Sequence, residues 1–296
     1  MDALDFFARP APMTALPFES CAAQLSDLPS DPRAAGEVIR GVLVHRDWAP
    51  YLGLHFGPER LADQQLRSTR EVVERVLAID PAPLIDARPQ ADHMVGVCRH
   101  FATLHVSLLR HAGIPARARV GFARYFEPGW VDHWITEWWD GTRWVRTDAQ
   151  VGSLAAKTLE LPFDPADQPP GEFLTAGEAW LRCRAGDEDA ARFGIWDMRG
   201  LWFISGNVKL DLAALNKVEL LPWDLWGAFG GGPGWEPTEA ELAPVDEVAR
   251  LLVADDLDAQ RARFAEPDLA VPSKIVSLVD GTPVPVDLDP ALVASA

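Results

Sequence analysis

Three residues in the middle of the chain have the types and the order that nucleophilic acyl transfer requires: Cys98, His133 and Asp148. A thiolate attacks an acyl carbon, and an imidazole takes the thiol proton and later protonates the leaving amine. A carboxylate fixes the tautomer and orientation of that imidazole. These roles require the three side chains to meet, so the elements that carry them decide whether the chemistry can occur.

Cys98 falls in the first turn of a predicted helix. Apolar residues after it recur at the spacing of one buried helical face: Phe101, Leu104, Leu108, Leu109 and Ala112. Gly113 suits the left-handed position that ends a helix, and Pro115 prevents continuation. A helix start presents unpaired N–H groups and a partial positive charge, which favour a reactive thiolate. The backbone N–H of Cys98 is a natural donor to an oxyanion.

His133 and Asp148 fall on predicted strands that can be aligned with each other. Three segments alternate in the manner of strands: residues 117–122, 131–139 and 143–148. Asp140-Gly141, between the last two, is among the strongest signals for a two-residue hairpin turn. That turn would place His133 directly opposite Asp148 on one face of the hairpin. A longer turn with a bulge would change this register.

This stretch resembles the core of the transglutaminase-like superfamily, which shares the plan of the papain-like cysteine proteases. The motifs that carry the resemblance occur in the family's order: Gly96-Val97-Cys98 with Phe101-Ala102, Leu109-Arg110, Gly113-Ile114-Pro115-Ala116-Arg117, His133-Trp134 with Glu137, Asp140-Gly141, Trp144-Val145 and Thr147-Asp148. The resemblance implies that Cys98, His133 and Asp148 are the catalytic residues. One departure is Ala149-Gln150, where many relatives have a proline and a small polar residue.

The resemblance also implies a fold. We expect an α+β protein with a papain/transglutaminase-like core, in which the catalytic helix packs on an antiparallel sheet. The predicted organisation has an N-terminal arm and helices (residues 1–90), the catalytic core (91–155) and a mostly helical C-terminal extension (156–296) packed on the core as one domain. The second oxyanion donor that the family uses is not assigned, and Gln90 and Trp48 are the candidates for it.

The segments around the core contain further helix and turn signals. Helices are predicted from Asp31-Pro32, from Pro58 to about Ile79, from Thr175 to Arg184, from Asn207 to Asn216, and after the capping box of Thr238 and Glu241. Residues 201–205 are predicted as a short strand. Asp280-Gly281 predicts a hairpin, which Pro283 and Pro285 would confine to a sheet edge.

Composition excludes several classes of function. A net charge of −17 disfavours nucleic acids and anionic membranes as partners. Three widely separated cysteines do not form a disulfide framework. The N-terminus has no secretory signal and no stretch approaches the length of a spanning helix, so we expect a cytoplasmic protein.

Several residues admit two interpretations. Cys98 could be a small buried hydrophobe. His100, His105 and His111 share its helix, but no two have the i, i+4 spacing of a metal-binding pair, so we expect no metal and no cofactor. Trp134 beside His133 is a predicted substrate contact. Trp223, Asp224 and Trp226 could line a substrate pocket, or the tryptophans could pin their segment onto the core.

The sequence therefore predicts cysteine-dependent acyl transfer on an amide, through a Cys-His-Asp triad and a thioester intermediate. The expected substrate is an amide or a peptide. With water as the acyl acceptor, the protein would be an amidase or peptidase. With an amine as the acceptor, it would be a transglutaminase-type enzyme. The alternative is a non-catalytic binding or scaffold module on the same fold, in which the thiol is incidental.

Overall fold

Two groups of segments pack into separate compact units in the computed structural model, which describes residues 2–293. The first unit comprises the residues up to Ala118 together with Ile135–Pro169. The second comprises Arg119–Trp134 and the residues from Pro170 onward. Each unit is thus built from two separate stretches of chain, and the predicted domain boundaries stay a prediction.

The first unit contains the helix that begins with Cys98. Its helices are α1 (Ala3–Ala8), α2 (Phe18–Cys21), α3 (Pro32–Arg40), α4 (Pro58–Leu61), α5 (Thr69–Ile79), α6 (Cys98–His111) and α7 (Ser153–Thr158). Asp31 caps α3 as predicted, because its carboxylate accepts the N–H of Ala34 at 2.9 Å. The predicted run from Pro58 to Ile79 is wrong as one helix. It breaks before Ser68, whose side chain starts α5 with a capping box.

Two pairs of strands belong to this unit. Strand β1 (Leu43–His45) pairs in parallel with β2 (Met94–Gly96), which leads directly into α6. The chain then forms β3 (Ala116–Ala123) and β4 (Trp130–Trp139), and each of these strands crosses from one unit to the other. Strand β5 (Trp144–Thr147) pairs antiparallel with the end of β4 that lies in the first unit.

The second unit combines helices with two small sheets. Its helices are α8 (Ala176–Ala185), α9 (Leu201–Leu215), α10 (Glu239–Ala254), α11 (Leu257–Phe264) and α12 (Pro290–Val293). Its own strands are β6 (Phe173–Thr175), β7 (Phe193–Ile195), β8 (Met198–Arg199), β9 (Asp224–Leu225), β10 (Lys274–Val279) and β11 (Thr282–Asp287). The parts of β3 and β4 within this unit complete a sheet of order β6-β3-β4-β7-β8, and a second sheet has the order β11-β10-β9.

Predictions for this unit are partly confirmed. Helix α8 and helix α10, which follows Thr238, occur as expected, and the structure adds a cap by Thr175 at the start of α8. The hairpin at Asp280-Gly281 is also present, with β11 at the sheet edge. The strand predicted at residues 201–205 is wrong, because this segment is the first part of α9, which continues without interruption through Gly206.

Helix α6 is more deeply buried than its pattern predicts. Every residue from Cys98 to Arg110 is buried, rather than one face alone. The polar side chains among them therefore need internal partners. Arg110 donates to the backbone oxygens of Phe7 and Ala116, and Ser107 exchanges a hydrogen bond with Thr69 at 2.8 Å.

Candidate active site

Cys98 is the first residue of α6 and has 8% of its surface exposed. Val97 precedes it in an extended conformation, so the chain turns into the helix at the thiol. The first N–H groups of a helix generally lack a partner within the helix, and they can bind a negatively charged group placed there. The predicted position of Cys98 at a helix start is confirmed.

His100 completes this first turn through both of its ring nitrogens. Nε2 lies 2.9 Å from the Leu66 carbonyl oxygen, and Nδ1 lies 3.1 Å from the backbone nitrogen of Val97. A carbonyl can only accept, so Nε2 carries the hydrogen and Nδ1 accepts the N–H of Val97. Burial lowers the pKa of His100 to about 3. Its ring is therefore neutral, and both nitrogens are used in one tautomer.

Asp148 directly follows β5 and is 1% exposed. Its Oδ1 accepts the backbone N–H groups of Gln150 at 2.9 Å and Val151 at 3.2 Å. Its own N–H donates to the Pro165 oxygen at 2.8 Å. The carboxylate is thus held by a tight turn and by a second stretch of the same unit, which fixes its orientation.

The register between β4 and β5 corrects the predicted opposition of His133 and Asp148. Trp139 pairs with Trp144, and the pairing ends at Thr136 with Thr147. The turn therefore spans four residues instead of two, because Oδ1 of Asp140 accepts the N–H groups of both Thr142 and Arg143. The register is shifted by two residues, and His133 is not directly opposed to Asp148 in this hairpin.

His133 lies in the part of β4 that belongs to the second unit, and it is 3% exposed. Two aromatic rings from the loop after β3 contact its imidazole edge to face. The ring centroids of Phe126 and Tyr125 lie 4.8 and 6.2 Å from that of the imidazole. This aromatic surrounding restricts the rotation of the histidine side chain.

Asp132, immediately before His133, is a second buried titratable group in β4. The side-chain amide of Asn207, on α9, donates to its carboxylate at 2.5 Å. Burial raises the pKa of Asp132 to about 6, against the smaller lowering effects of Asn207 and His133. Sequence reasoning missed this pair, because nothing local connects residues 132 and 207.

The predicted substrate contacts have defined places in the second unit. Trp134 is almost fully buried in β4, and its indole Nε1 has no hydrogen-bond partner among residues 2–293. Asp224 accepts the Leu221 N–H at 3.0 Å and the Ser277 hydroxyl at 2.8 Å. Their role in binding substrate stays a prediction.

The two tryptophans of this group differ in burial. Trp223 is half-buried, and its backbone oxygen accepts the N–H of Leu278 at 2.9 Å. Trp226 is buried and donates its indole N–H to the Leu269 oxygen at 2.9 Å. Lys209 donates to the backbone oxygen of Trp226 and lies over its ring. These contacts anchor the Asp224 segment within its own unit.

The two candidates for a second oxyanion donor lie in the first unit. Trp48 follows β1, and its ring centroid is 6.0 Å from that of His45. His45 pairs with Gly96, two residues before Cys98. Gln90 is exposed in a short 3-10 turn. Trp48 is therefore on the loop that starts beside the approach to α6, whereas Gln90 contacts that approach through its backbone oxygen, which accepts the N–H of His93 at 3.3 Å.

Two of the three histidines of α6 use a ring nitrogen for a hydrogen bond to the backbone. His100 and His105 each donate Nε2–H to a backbone oxygen, of Leu66 and Pro32 respectively. Within residues 2–293, no group of three or more His, Cys, Asp or Glu residues is arranged to hold a metal ion. No helix in this part of the chain is long and apolar enough to cross a membrane.

Comparison with known proteins identifies the segment that contains these residues. Residues 71–149 match the model of the transglutaminase-like superfamily. The match includes Cys98, His133 and Asp148, and it confirms the predicted family and α+β fold class for this core. It supports a cysteine-dependent enzyme in general terms. No curated protein matches the chain.

One solved structure is similar to part of the chain. It is a crystal structure of a proposed cysteine protease from Cytophaga hutchinsonii, with 18% identity and a TM-score of 0.30. The alignment covers 51% of this chain and 43% of that protein. The similarity thus spans less than half of the other protein's length, and at this level it says nothing about activity.

Proposed function

We propose that the protein is a cysteine-dependent acyl-transfer enzyme acting on amides or peptides, with Cys98 as nucleophile, His133 as general base and acid, and Asp148 as the group that orients His133. The observation that carries the proposal is the position of Cys98. It is the first residue of α6, inside the segment that matches the transglutaminase-like superfamily. His133 and Asp148 occur in the same segment, in the order that the family requires.

The proposed reaction has two steps. His133 removes the Cys98 proton, Sγ attacks the amide carbon, and the C–N bond breaks as the imidazolium protonates the leaving amine. The product of this step is a thioester on Cys98. Water or a second amine then gives a proton to His133 and attacks the thioester carbon, and the C–S bond breaks to regenerate the thiol. The Cys98 N–H stabilises the oxyanion in both steps.

Water and amine acceptors differ only in the second step. Their competition can therefore be measured once a substrate acylates Cys98, by adding increasing concentrations of a primary amine and quantifying acid against amide product. Acid alone would define a hydrolase, and amine-dependent amide product would define a transferase. The proposal covers both outcomes because each uses the same thioester.

The first experiment measures the rate of Cys98 alkylation by iodoacetamide against pH, followed by peptide mapping, in the wild type and in His133→Ala. Cys21 and Cys183 serve as controls within the same molecule, because all three cysteines are free. Burial raises the pKa of Cys183 to about 12, so it should react slowly at neutral pH.

We expect rapid alkylation of Cys98 that persists well below pH 8 and slows at least tenfold in His133→Ala. Circular dichroism and the Tm would show that the variant is folded. Cys98 labelling no faster than that of Cys183, or unaffected by His133→Ala in a folded variant, would contradict the proposal. A non-catalytic binding module would then be the better account of the fold.

A further inference from the structure

We infer that His100 is a positioning residue for Cys98. The neutral ring of His100 caps the first turn of α6 and so places no negative charge beside the thiol. The inference rests on the proposed function, since it concerns the same nucleophile. It assigns a role to a buried histidine that the proposed reaction does not itself use.

The hydrogen bonds of His100 define the geometry of the helix start. Its side chain accepts the Val97 N–H, and its backbone N–H donates to the Val97 oxygen at 2.8 Å. Val97 is therefore held from both sides, directly before Cys98. The capping bond satisfies the N–H of Val97, and helix geometry leaves the next N–H, that of Cys98, without a partner inside the helix.

The ring is also fixed from outside the helix. Its Nε2–H donates to the oxygen of Leu66, in the segment that leads to α5. Gly96 lies against it so closely that a Cβ there would be 3.2 Å from the Cβ and 3.3 Å from the Cγ of His100. His100 has no exposed surface. These contacts leave the imidazole one position, and they hold the first turn of α6 in place.

The neutrality of the ring matters because of its place in the helix. Residue 100 is the third helical position, where Glu or Gln usually reaches back to the N-cap N–H. The first turn of α6 contains no acidic residue. A carboxylate two residues after Cys98 would disfavour the thiolate by repulsion between like charges. An imidazole makes the same capping bond without that repulsion, so the first turn itself adds no negative charge against the partial positive charge of the helix start. Arg99 and His45 also act on His100, and both disfavour a positive charge on its ring.

The matched pair His100→Gln and His100→Glu separates capping from charge. Both side chains have the same length and can accept the Val97 N–H, but only Glu is charged. We expect the Cys98 alkylation profile of His100→Gln to stay within about threefold of the wild type. In His100→Glu the rate at pH 7 should fall about tenfold, with the midpoint of the profile displaced upward by about one pH unit. His111→Glu adds the same charge at the exposed far end of α6 and should leave the profile unchanged.

A buried glutamate could prevent folding, so a third variant keeps the inference testable. His100→Leu fills the site without a cap and leaves the Val97 N–H unsatisfied. We expect the rate of Cys98 labelling to decrease in His100→Leu and to be retained in His100→Gln. Once a substrate is known, kcat should be affected more than KM in His100→Leu, and both should be retained in His100→Gln. Equal profiles for Gln and Leu, or for Gln and a folded Glu variant, would overturn the inference. If wild-type Cys98 reacts no faster than Cys183, the proposed function fails instead.

Discussion

Asn207 donates its side-chain amide to the carboxylate of Asp132 at 2.5 Å, one residue before the predicted catalytic histidine. Both side chains are buried. The pair joins α9 to β4 within the second unit, and it attaches the strand that carries His133 to a long helix. The protonation of Asp132 is therefore linked to the stability of that unit.

We expect Asp132→Asn to stabilise the protein in a pH-dependent way. Burial raises the pKa of Asp132 to about 6, whereas an unfolded aspartate titrates near 3.8. The native state therefore keeps a proton that the unfolded state releases, and wild-type stability falls as pH rises from about 4 to 6. The advantage of Asp132→Asn should be absent below pH 4 and reach about 3 kcal/mol above pH 6. Urea unfolding between pH 4 and 8 measures it.

Asp258→Asn is the control for this experiment, because Asp258 is exposed on α11. Its effect on the free energy of unfolding should stay small compared with that of Asp132→Asn. A difference between Asp132→Asn and the wild type that is constant across the range would show that Asp132 stays ionised in the native protein.

His105→Gln should make the protein more resistant to acid. Burial lowers the pKa of His105 to about 4, so the native ring stays neutral while an unfolded histidine takes up a proton below pH 6.5. The wild type therefore loses stability as pH falls from 6.5 to 4, by about 3 kcal/mol from this group. Gln can still donate to the Pro32 oxygen, which His105 reaches at 3.0 Å. The measurement is the free energy of unfolding at pH 7 and at pH 4.5, with the exposed His111→Gln as control. The loss of stability between these two pH values should be smaller than in the wild type only for His105→Gln.

Glu137→Ala should be strongly destabilising. Its carboxylate accepts the Nε–H groups of Arg117 at 2.8 Å and Arg146 at 3.0 Å, and Arg117 is as buried as the glutamate. The substitution removes the carboxylate that both guanidinium groups share, and we expect the free energy of unfolding to fall by about 3–5 kcal/mol. Arg33→Ala breaks the exposed ion pair with Asp164 and should cost no more than about 1 kcal/mol. Small and equal losses of stability for Glu137→Ala and Arg33→Ala in thermal unfolding would contradict this expectation.

Asp224→Ala tests the contacts that hold the predicted substrate-binding segment. The change removes the acceptor of the Leu221 N–H and of the Ser277 hydroxyl, and we expect a loss of about 2–4 kcal/mol in unfolding free energy. Ser277→Ala removes one partner and should cost less, about 1 kcal/mol. Asp224→Asn can keep one acceptor, and its KM would report on substrate binding separately. A fully stable Asp224→Ala variant would argue against the anchoring role.

Elements whose signals are local could be predicted from the sequence. Features whose geometry depends on side-chain hydrogen bonds or on distant segments of the chain could not. Helix α6 was predicted because apolar spacing, Gly113 and Pro115 all mark it. The β4–β5 register was not, because Oδ1 of Asp140 builds a four-residue turn that the Asp-Gly pair does not reveal. Residues 201–205 are a short, mostly apolar run whose length suits a strand, yet they form the first part of α9.

The candidate site shows the same division. Cys98 was placed correctly at a helix start, and the capping role of His100 was missed because histidine is an unusual residue at that position. A histidine at the third helical position, after Val97 whose own side chain cannot cap a helix, is the signal that could have indicated it. Asn207 with Asp132 offered no such signal, because helix α9 brings them together across a long stretch of chain.

The interleaved composition of the two compact units has a consequence for biosynthesis. On the ribosome, Arg119–Trp134 emerges well before the residues from Pro170 onward with which it forms one unit. The nascent histidine-bearing segment must therefore remain without most of its packing partners until the second half of the chain is translated. A gene fragment encoding only the family-matched residues 71–149 would preserve all three predicted catalytic residues and leave the segment around His133 without that support.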